Sequence, residues 1–343
     1  MNPVLLHFYG IALSIAPMES SVIVEEYRPE HRNEWEAFVQ NSNNGTMFHR
    51  LCFLDYHPPG KFHFHHLLFR KNGALVGVMP GGLMDNGRIL WSPVGASYGG
   101  IVTGDIPFAL ALEIVDALLA YGRRIGLREL YLIPPPFIYS RNYSQNLEYA
   151  LLYRRFGFEY HYISHAIHLK HGASFLRFFD KTARKTIRKL LRQASLRVEE
   201  SQDYETFYRI LVQNKARHGA KPTHSLEDLY RLQQLVPEHL RLLMVYYNQT
   251  PIAGSLLFLC NPKVVLCFYN MMLYEYQHLR PIYLLMYEIV RWATEQGYEW
   301  VDIGVSQDTK SPNPMTPALS LIHFKERFDS RGILRSTFYY RFL

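Results

Sequence analysis

Matching pieces of sequence recur at an offset of roughly 170 residues, and this repeat limits the fold more than any other feature. In the first half, Phe62 to Arg70 reads as a strand, Asn72-Gly73 as a hairpin turn and Ala74 to Met79 as the return strand. A helix over Phe108 to Arg124 stops at Gly126, and a buried strand over Glu129 to Ile133 follows. The second half repeats the order. Leu240 to Tyr247 and Ile252 to Leu259 flank the turn Asn248 to Pro251, Val264 to Asn270 is a further strand, Tyr283 to Glu295 is a helix ending at Gly297, and Glu299 to Ile303 is a buried strand. Short helices close both halves, over Leu151 to Phe156 and Leu321 to Phe328, and LYRRFGFE echoes IHFKERFD. The pattern predicts an α/β fold with mixed sheets, built from one unit used twice.

Length and charge bound what such a double unit can be. The chain has 343 residues, enough for two domains with their own cores. Hydrophobic residues make up 48% and charged ones 20%, as in a soluble protein. The boundaries expected are a tail or mis-called start over 1–21, an N-terminal unit over 22–170, a linker over 171–200 with a basic helix from Lys181 to Arg197, and a C-terminal unit over 201–343. The opening MNPVLLHFYGIALSIAP has no Lys or Arg, so it lacks the basic region of a signal peptide, and it is too short to span a bilayer. Three cysteines, Cys52, Cys260 and Cys267, form no C-x-x-C pair, which favours a reducing compartment, the cytoplasm. Net charge is +7 with a pI near 9.1, compatible with a nucleic acid, an anionic cofactor or a membrane surface as partner.

Several constellations carry chemistry. The run DKTARKTIRKLLRQASLRVEE sets Lys181, Arg184, Lys185, Arg188, Lys189, Arg192 and Arg197 around an apolar stripe, with no acidic residue after Asp180 until Glu199. It is either a solvated helix face or one that binds phosphates, with Lys185 and Arg188 central. His63-Phe64-His65-His66 has no third ligand at a recognisable spacing, and no metal is expected. The loop Gly95-Ala96-Ser97-Tyr98-Gly99-Gly100 is either a turn or a place where backbone approaches a ligand, with Ser97 and Tyr98 as the substrate contacts. Asn214-Lys215-Ala216-Arg217-His218-Gly219 puts cations at a helix end, where they complement the dipole or hold an anion. Asp302 ends a buried strand, where ligands of α/β sheets gather. Nearby, Lys325 offers a cation to a developing oxyanion, while Tyr269 and Tyr274 offer hydroxyls. The plainer alternative has Asp302 capping, or paired with Lys325 or Arg327.

These segments, in order from about residue 22 to the end, resemble the FemAB-like branch of the GNAT superfamily. The resemblance is to Fem peptidoglycan-bridge aminoacyltransferases and to relatives with a BioF2-like acetyltransferase domain. WEAFVQNSNNGTMFH, SPVGASYGG, KTARKTIRKLLRQASLRVEE, NKARHG, PIAGSLLFL, the run from Pro281 through VDIGVS, and FKERFD carry it. It implies tandem GNAT-like units with a cleft between them, and transfer of an acyl or aminoacyl group to an amine. The family's closing F-K motif falls on Phe324 and Lys325, which would stabilise the reacting carbonyl, and its acceptor-binding Arg and Tyr fall on Arg217 and Tyr269. Two departures stand out. The long charged insertion of tRNA-binding Fem enzymes is absent, and the place of the glycine-rich pyrophosphate loop reads Gln277-His278-Leu279-Arg280-Pro281, leaving Arg280 beside a helix N-terminus to hold phosphate.

The first half lacks this chemistry. Tyr131-Leu132-Ile133-Pro134 stands where the second half has Val301-Asp302-Ile303-Gly304, and Arg154-Arg155-Phe156 stands for Lys325-Glu326-Arg327. The expectation is therefore an acyltransferase with its catalytic half at residues 201–343. It would bind no permanent cofactor and use acyl-CoA, or aminoacyl-tRNA, as co-substrate. Its acceptor would be a small-molecule or cell-wall precursor, and it would have a surface able to touch an anionic membrane. The competing expectation is a non-catalytic binder of anionic lipid or nucleic acid.

Overall fold

The computed structural model describes residues 21–217, 219–308 and 310–342; the expected tail or mis-called start at the N-terminus lies, but for its last residue, outside them. The first half runs β1 (Val22–Glu26), α1 (Arg32–Asn41), α2 (Leu51–Leu54), β2 (Leu67–Lys71), β3 (Ala74–Met79), β4 (Gly82–Met84), β5 (Ile89–Ser92), β6 (Val102–Thr103), α3 (Phe108–Arg124), β7 (Glu129–Leu132), α4 (Asn146–Tyr153) and β8 (Gly157–His168). The second runs α5 (Lys181–Leu190), β9 (Leu196–Glu200), α6 (Tyr204–Arg217), α7 (Leu226–Leu235), β10 (Leu240–Tyr247), β11 (Thr250–Leu259), β12 (Val264–Met272), α8 (Pro281–Glu295), β13 (Trp300–Val305), α9 (Leu319–Glu326) and β14 (Ser330–Arg341).

The repeat is visible in the pairing. In each half a strand, a crossover helix and a second strand make a parallel pair: β5–α3–β7 in the first and β12–α8–β13 in the second. Each crossover helix is amphipathic or apolar enough to bury a long face. Ile114, Val115, Leu118 and Leu119 of α3 enter one core, and Leu284, Leu285, Ile289 and Val290 of α8 another. Glycines at positive φ, Gly126 and Gly297, end both helices.

A ten-stranded sheet in the order β4-β5-β7-β14-β8-β13-β12-β11-β10-β9 joins the halves, beside a four-stranded sheet β1-β2-β3-β6. The join exchanges strands. β14, the end of the chain, pairs with β7 of the first half, and β8, the end of the first half, pairs with β13 of the second. The two long strands also pair with each other along nearly their whole length, Ser330↔Ile167 to Tyr339↔Gly157. The expected units 22–170 and 201–343 thus share one sheet, and the residues between them hold both α5 and the edge strand β9.

The second half's sheet has a core on each side. Leu243, Val265, Cys267, Val301 and Ile303 face α5 and α8. Leu242, Leu256, Leu266 and Tyr269 face α6, α7 and aromatics of the first half, among them Phe48, Tyr98 and Tyr139. In β12 a bulge decides which side a residue takes: Leu256 pairs with Tyr269 and Leu257 with Cys267, so Phe268 has no opposite number. Without it, Tyr269 would share the face of Cys267; with it, Tyr269 turns to the opposite core.

Candidate active site

The parallel ladder between β12 and β13 stops at Leu266↔Asp302, although β12 continues to Met272 and β13 to Val305. Where the strands part, a cavity of about 550 Å³ opens, floored by Asn270, Met271 and Met272 and walled by α8 and α9. The wall includes Tyr274, Arg280, Tyr283, His323, Phe324 and Arg327. Arg280 occupies the left-handed region (φ 53°) as the N-cap of α8, with Pro281 at the first helical position. This geometry brings the helix N-terminus, its dipole and a guanidinium to one rim, an arrangement that favours an anion. Phe324 stands edge-on to Tyr283 (centroids 5.6 Å) and to Phe328 (5.3 Å), giving the cavity an apolar side. The Arg217 guanidinium lies 4.2 Å from the Tyr274 ring centroid.

Behind the cavity lies a buried polar network. Asp302 is fully buried. Its Oδ1 accepts from Ser164 Oγ (2.7 Å) and the Gly304 N–H (2.8 Å), and its Oδ2 from the hydroxyls of Tyr139 (2.8 Å) and Tyr98 (3.4 Å). Four donors satisfy a carboxylate taken out of water. Lys325, 7% exposed, donates from Nζ to the carbonyls of Gly304 (2.7 Å) and Val305 (2.9 Å) and to Ser306 Oγ (2.9 Å). The two charged groups form no direct ion pair; Gly304 stands between them, its N–H on Asp302 and its carbonyl on Lys325. Gly304 adopts φ 76° at a break in the β13–β8 register, a conformation that suits glycine. Because Lys325 donates into Ser306 Oγ, the serine's own proton can go to His165 Nδ1, 3.0 Å away. Burial pushes the Lys325 ammonium down to about 8, the Asp302 charge opposing the shift. Burial, joined by the Lys325 charge, holds His165 below its ordinary value.

The expected site residues therefore separate. Phe324, Arg280 and Tyr274 line the cavity, with Arg217 stacked on Tyr274. Asp302, Lys325 and Tyr98 meet in the buried network, and Ser97 reaches its edge through its carbonyl, which accepts from Arg335 (2.7 Å). Tyr269 faces the other core. Its hydroxyl accepts the N–H groups of Thr223 (3.1 Å) and His224 (3.2 Å) and lies 2.9 Å from His224 Nδ1, so it pins the entrance to α7. Lys185 and Arg188 stand on the exposed face of α5, outside the cavity lining. His65 and His66 are taken up by the Tyr121 hydroxyl (2.6 Å) and the Gly81 N–H (3.1 Å), and no metal-binding cluster occurs among the described residues. Tyr139, Ser164, His165 and Ser306 were not expected; they come from strands and loops whose approach to Asp302 and Lys325 is set only by the sheet.

Residues 177–311 match the model of the acetyltransferase (GNAT) domain family. No functionally curated protein matches the sequence. Among solved structures, FemX superposes with a TM-score of 0.69 at 12% identity, covering 93% of this chain and 97% of its own. The C-terminal domain of a putative lysylphosphatidylglycerol synthetase from Agrobacterium fabrum gives 0.59 at 11%, covering 90% and 91%. A tandem GNAT protein from the clavulanic acid biosynthesis pathway gives 0.54 at 9%, covering 93% and 98%. The class is thereby set: the chain carries a GNAT-type acetyltransferase domain and is an acyltransferase. Its two-unit arrangement is the fold of FemX and of tandem GNAT proteins along nearly its whole length.

Proposed function

We propose that the chain transfers an acyl group from acyl-CoA to an amine of a small-molecule or cell-envelope precursor, with residues 201–343 as the catalytic half and 22–170 as the wall against which the acceptor is held. The observation that carries this reading is the cavity at the parting of β12 and β13, with α8 and Arg280 at its rim. An apolar wall with a cationic, helix-capped rim suits a chain that ends in phosphates and carries its reactive carbonyl inward.

The chemistry needs no enzyme-bound intermediate. The cysteines support direct transfer: burial pushes the Cys52 thiol up to about 11 and the Cys267 thiol up to about 12, and Cys260 is raised well beyond its usual value by the same cause. A neutral amine attacks the thioester carbonyl to form the C–N bond and a tetrahedral oxyanion, which collapses as the C–S bond breaks; the proton lost by the ammonium passes through a base to the departing sulfur, which leaves as the CoA thiol. Phe324 would pack along the acyl chain. Lys325, just behind it, would supply positive charge to the oxyanion when protonated and accept a proton when neutral, with a value near 8 permitting both. Asp302 would act through Gly304, whose N–H it holds and whose carbonyl accepts from Lys325. Positioning and electrostatics carry such a reaction.

The fold shared with the putative lysylphosphatidylglycerol synthetase domain makes an aminoacyl donor the second reading. Thermal unfolding with acetyl-CoA, and separately with aminoacyl-tRNA, distinguishes them. Acetyl-CoA at a hundred times its Kd should raise the midpoint by about 5 °C, and Ile282→Trp, which pushes an indole into the cavity, should abolish the rise. Indifference to acetyl-CoA with stabilisation by aminoacyl-tRNA would replace the first reading with the second.

A further inference from the structure

The basic run of the sequence has a use that the cavity does not absorb. Helix α5 spans ten residues, and its apolar stripe of Ala183, Ile187 and Leu190 is buried against the core that α8 also faces. At about 100° per residue, Lys181, Lys185, Arg188 and Lys189, with Arg192 just beyond the helix, fall on one side of it, and all five are exposed. Arg184 flanks them, its guanidinium on the Arg177 carbonyl (2.7 Å). Among the described residues none of these six has a carboxylate within ion-pairing distance, and no Asp or Glu lies between Asp180 and Glu199. By contrast, Arg291 on α8 holds both Glu288 and Glu295, and Arg70 holds Glu25 and Glu34. The formal net charge of the whole chain is +7, and α5 with its flanks gathers six cations into one short stretch.

Two large apolar side chains bracket this face, Phe178 before α5 at 47% exposure and Leu191 after it at 46%. Phe178 stacks one face on the His171 ring and leaves the rest to solvent. A single-stranded nucleic-acid groove would interleave several aromatics with its cations, whereas here there is one aromatic and one aliphatic group at the two ends. Cations in a band with apolar groups at its ends match the boundary between anionic headgroups and acyl chains.

We propose that the exposed face of α5, from Phe178 to Arg192, docks this protein on an anionic lipid bilayer. The placement has a consequence for the enzyme. Asp180 caps α5 through Ala183 (2.5 Å) and donates its own N–H to the carbonyl of Arg327 (2.8 Å), and the Arg327 side chain lines the cavity. The docking face is therefore tied directly to the cavity wall, and a protein seated on it would present that cavity beside the membrane surface.

Co-sedimentation with sucrose-loaded vesicles tests this on the full chain. Vesicles of phosphatidylcholine with about a third phosphatidylglycerol should retain the protein at 0.1 M salt, and pure phosphatidylcholine should not. Binding should fall steeply towards 1 M salt, where the screening length shrinks from about 10 Å to about 3 Å. Each neutralised cation should cost about fivefold in partitioning, so K181Q/K189Q/R192Q should lose on the order of a hundredfold. Leu191→Ser should weaken retention at both salt concentrations, because its share is apolar. Equal retention on both vesicle types, an unaffected triple variant with wild-type unfolding, or displacement from the vesicles by stoichiometric RNA would overturn the proposal. The triple variant leaves the cavity lining untouched, and acetyl-CoA binding is read without vesicles, so this inference and the donor reading fail separately.

Discussion

Replacing Lys325 by Met should change how stability depends on pH more than it changes stability itself. Met matches the length of the lysine stem but removes the buried ammonium and its bonds to Gly304, Val305 and Ser306. Those lost bonds cost the same at every pH. The charge does not. Burial sets the folded ammonium at about 8 against an ordinary 10.5, and at about 1.4 kcal/mol per pH unit the gap is worth about 3 kcal/mol. Below about pH 8 both folded and unfolded chains carry the proton, and the native state bears this cost in full. Between 8 and 10.5 the native lysine is neutral while the unfolded one stays charged. The unfolded state then binds more protons, and stability rises with pH. Stability of the wild type minus that of Lys325→Met should therefore grow by about 2 kcal/mol between pH 7 and pH 9.5, read from urea unfolding. Tyrosines that titrate in this range are common to both proteins and cancel. A difference that stays flat would mean that the ammonium keeps an ordinary value, and would remove Lys325 as a proton acceptor near neutral pH.

Other perturbations probe the same construction. Asp302→Asn should cost under about 1 kcal/mol, since the Tyr98 and Tyr139 hydroxyls can reverse to accept from the amide, whereas Asp302→Ala strands four donors and should cost about 3 kcal/mol or more in urea unfolding. Gly304→Ala should cost about 1 kcal/mol, because a Cβ there meets no atom within 4 Å and only the positive φ resists it. Tyr269→Phe should cost about 2 kcal/mol and speed amide exchange at Thr223 and His224, whose N–H groups lose their acceptor, while leaving acetyl-CoA binding unchanged.

What the sequence disclosed follows from how local each signal is. α3 and β3 occupy the residues their periodicity marks, Phe108–Arg124 and Ala74–Met79, because a helix stopped by Gly126 and a hairpin turned at Asn72-Gly73 need nothing distant. The strands that join the halves were not legible. GFEYHYISHAIH and SRGILRSTFYYR blur the apolar–polar alternation with Tyr, His and Arg, side chains that suit a seam half-buried between two units. The helix expected over Lys181 to Arg197 ends at Leu190, because Leu196–Glu200 is claimed by β10. In the site, the ends of β13 and α9 announce Asp302 and Lys325. Tyr139 and Ser164, more than a hundred residues away, could be paired with Asp302 only once β8 was seen beside β13. The family resemblance puts Tyr269 at the site, but one unpaired residue, Phe268, turns it to the other core.

The central claim is that the parting of β12 and β13 is the donor site, and calorimetric titration of acetyl-CoA into the wild type and into Arg280→Glu addresses it most directly. The account predicts one site per chain, with affinity falling at least tenfold in Arg280→Glu as a charge-assisted contact at the rim of α8 is lost and replaced by repulsion. Binding of equal strength in both proteins, or no binding to either, would contradict it.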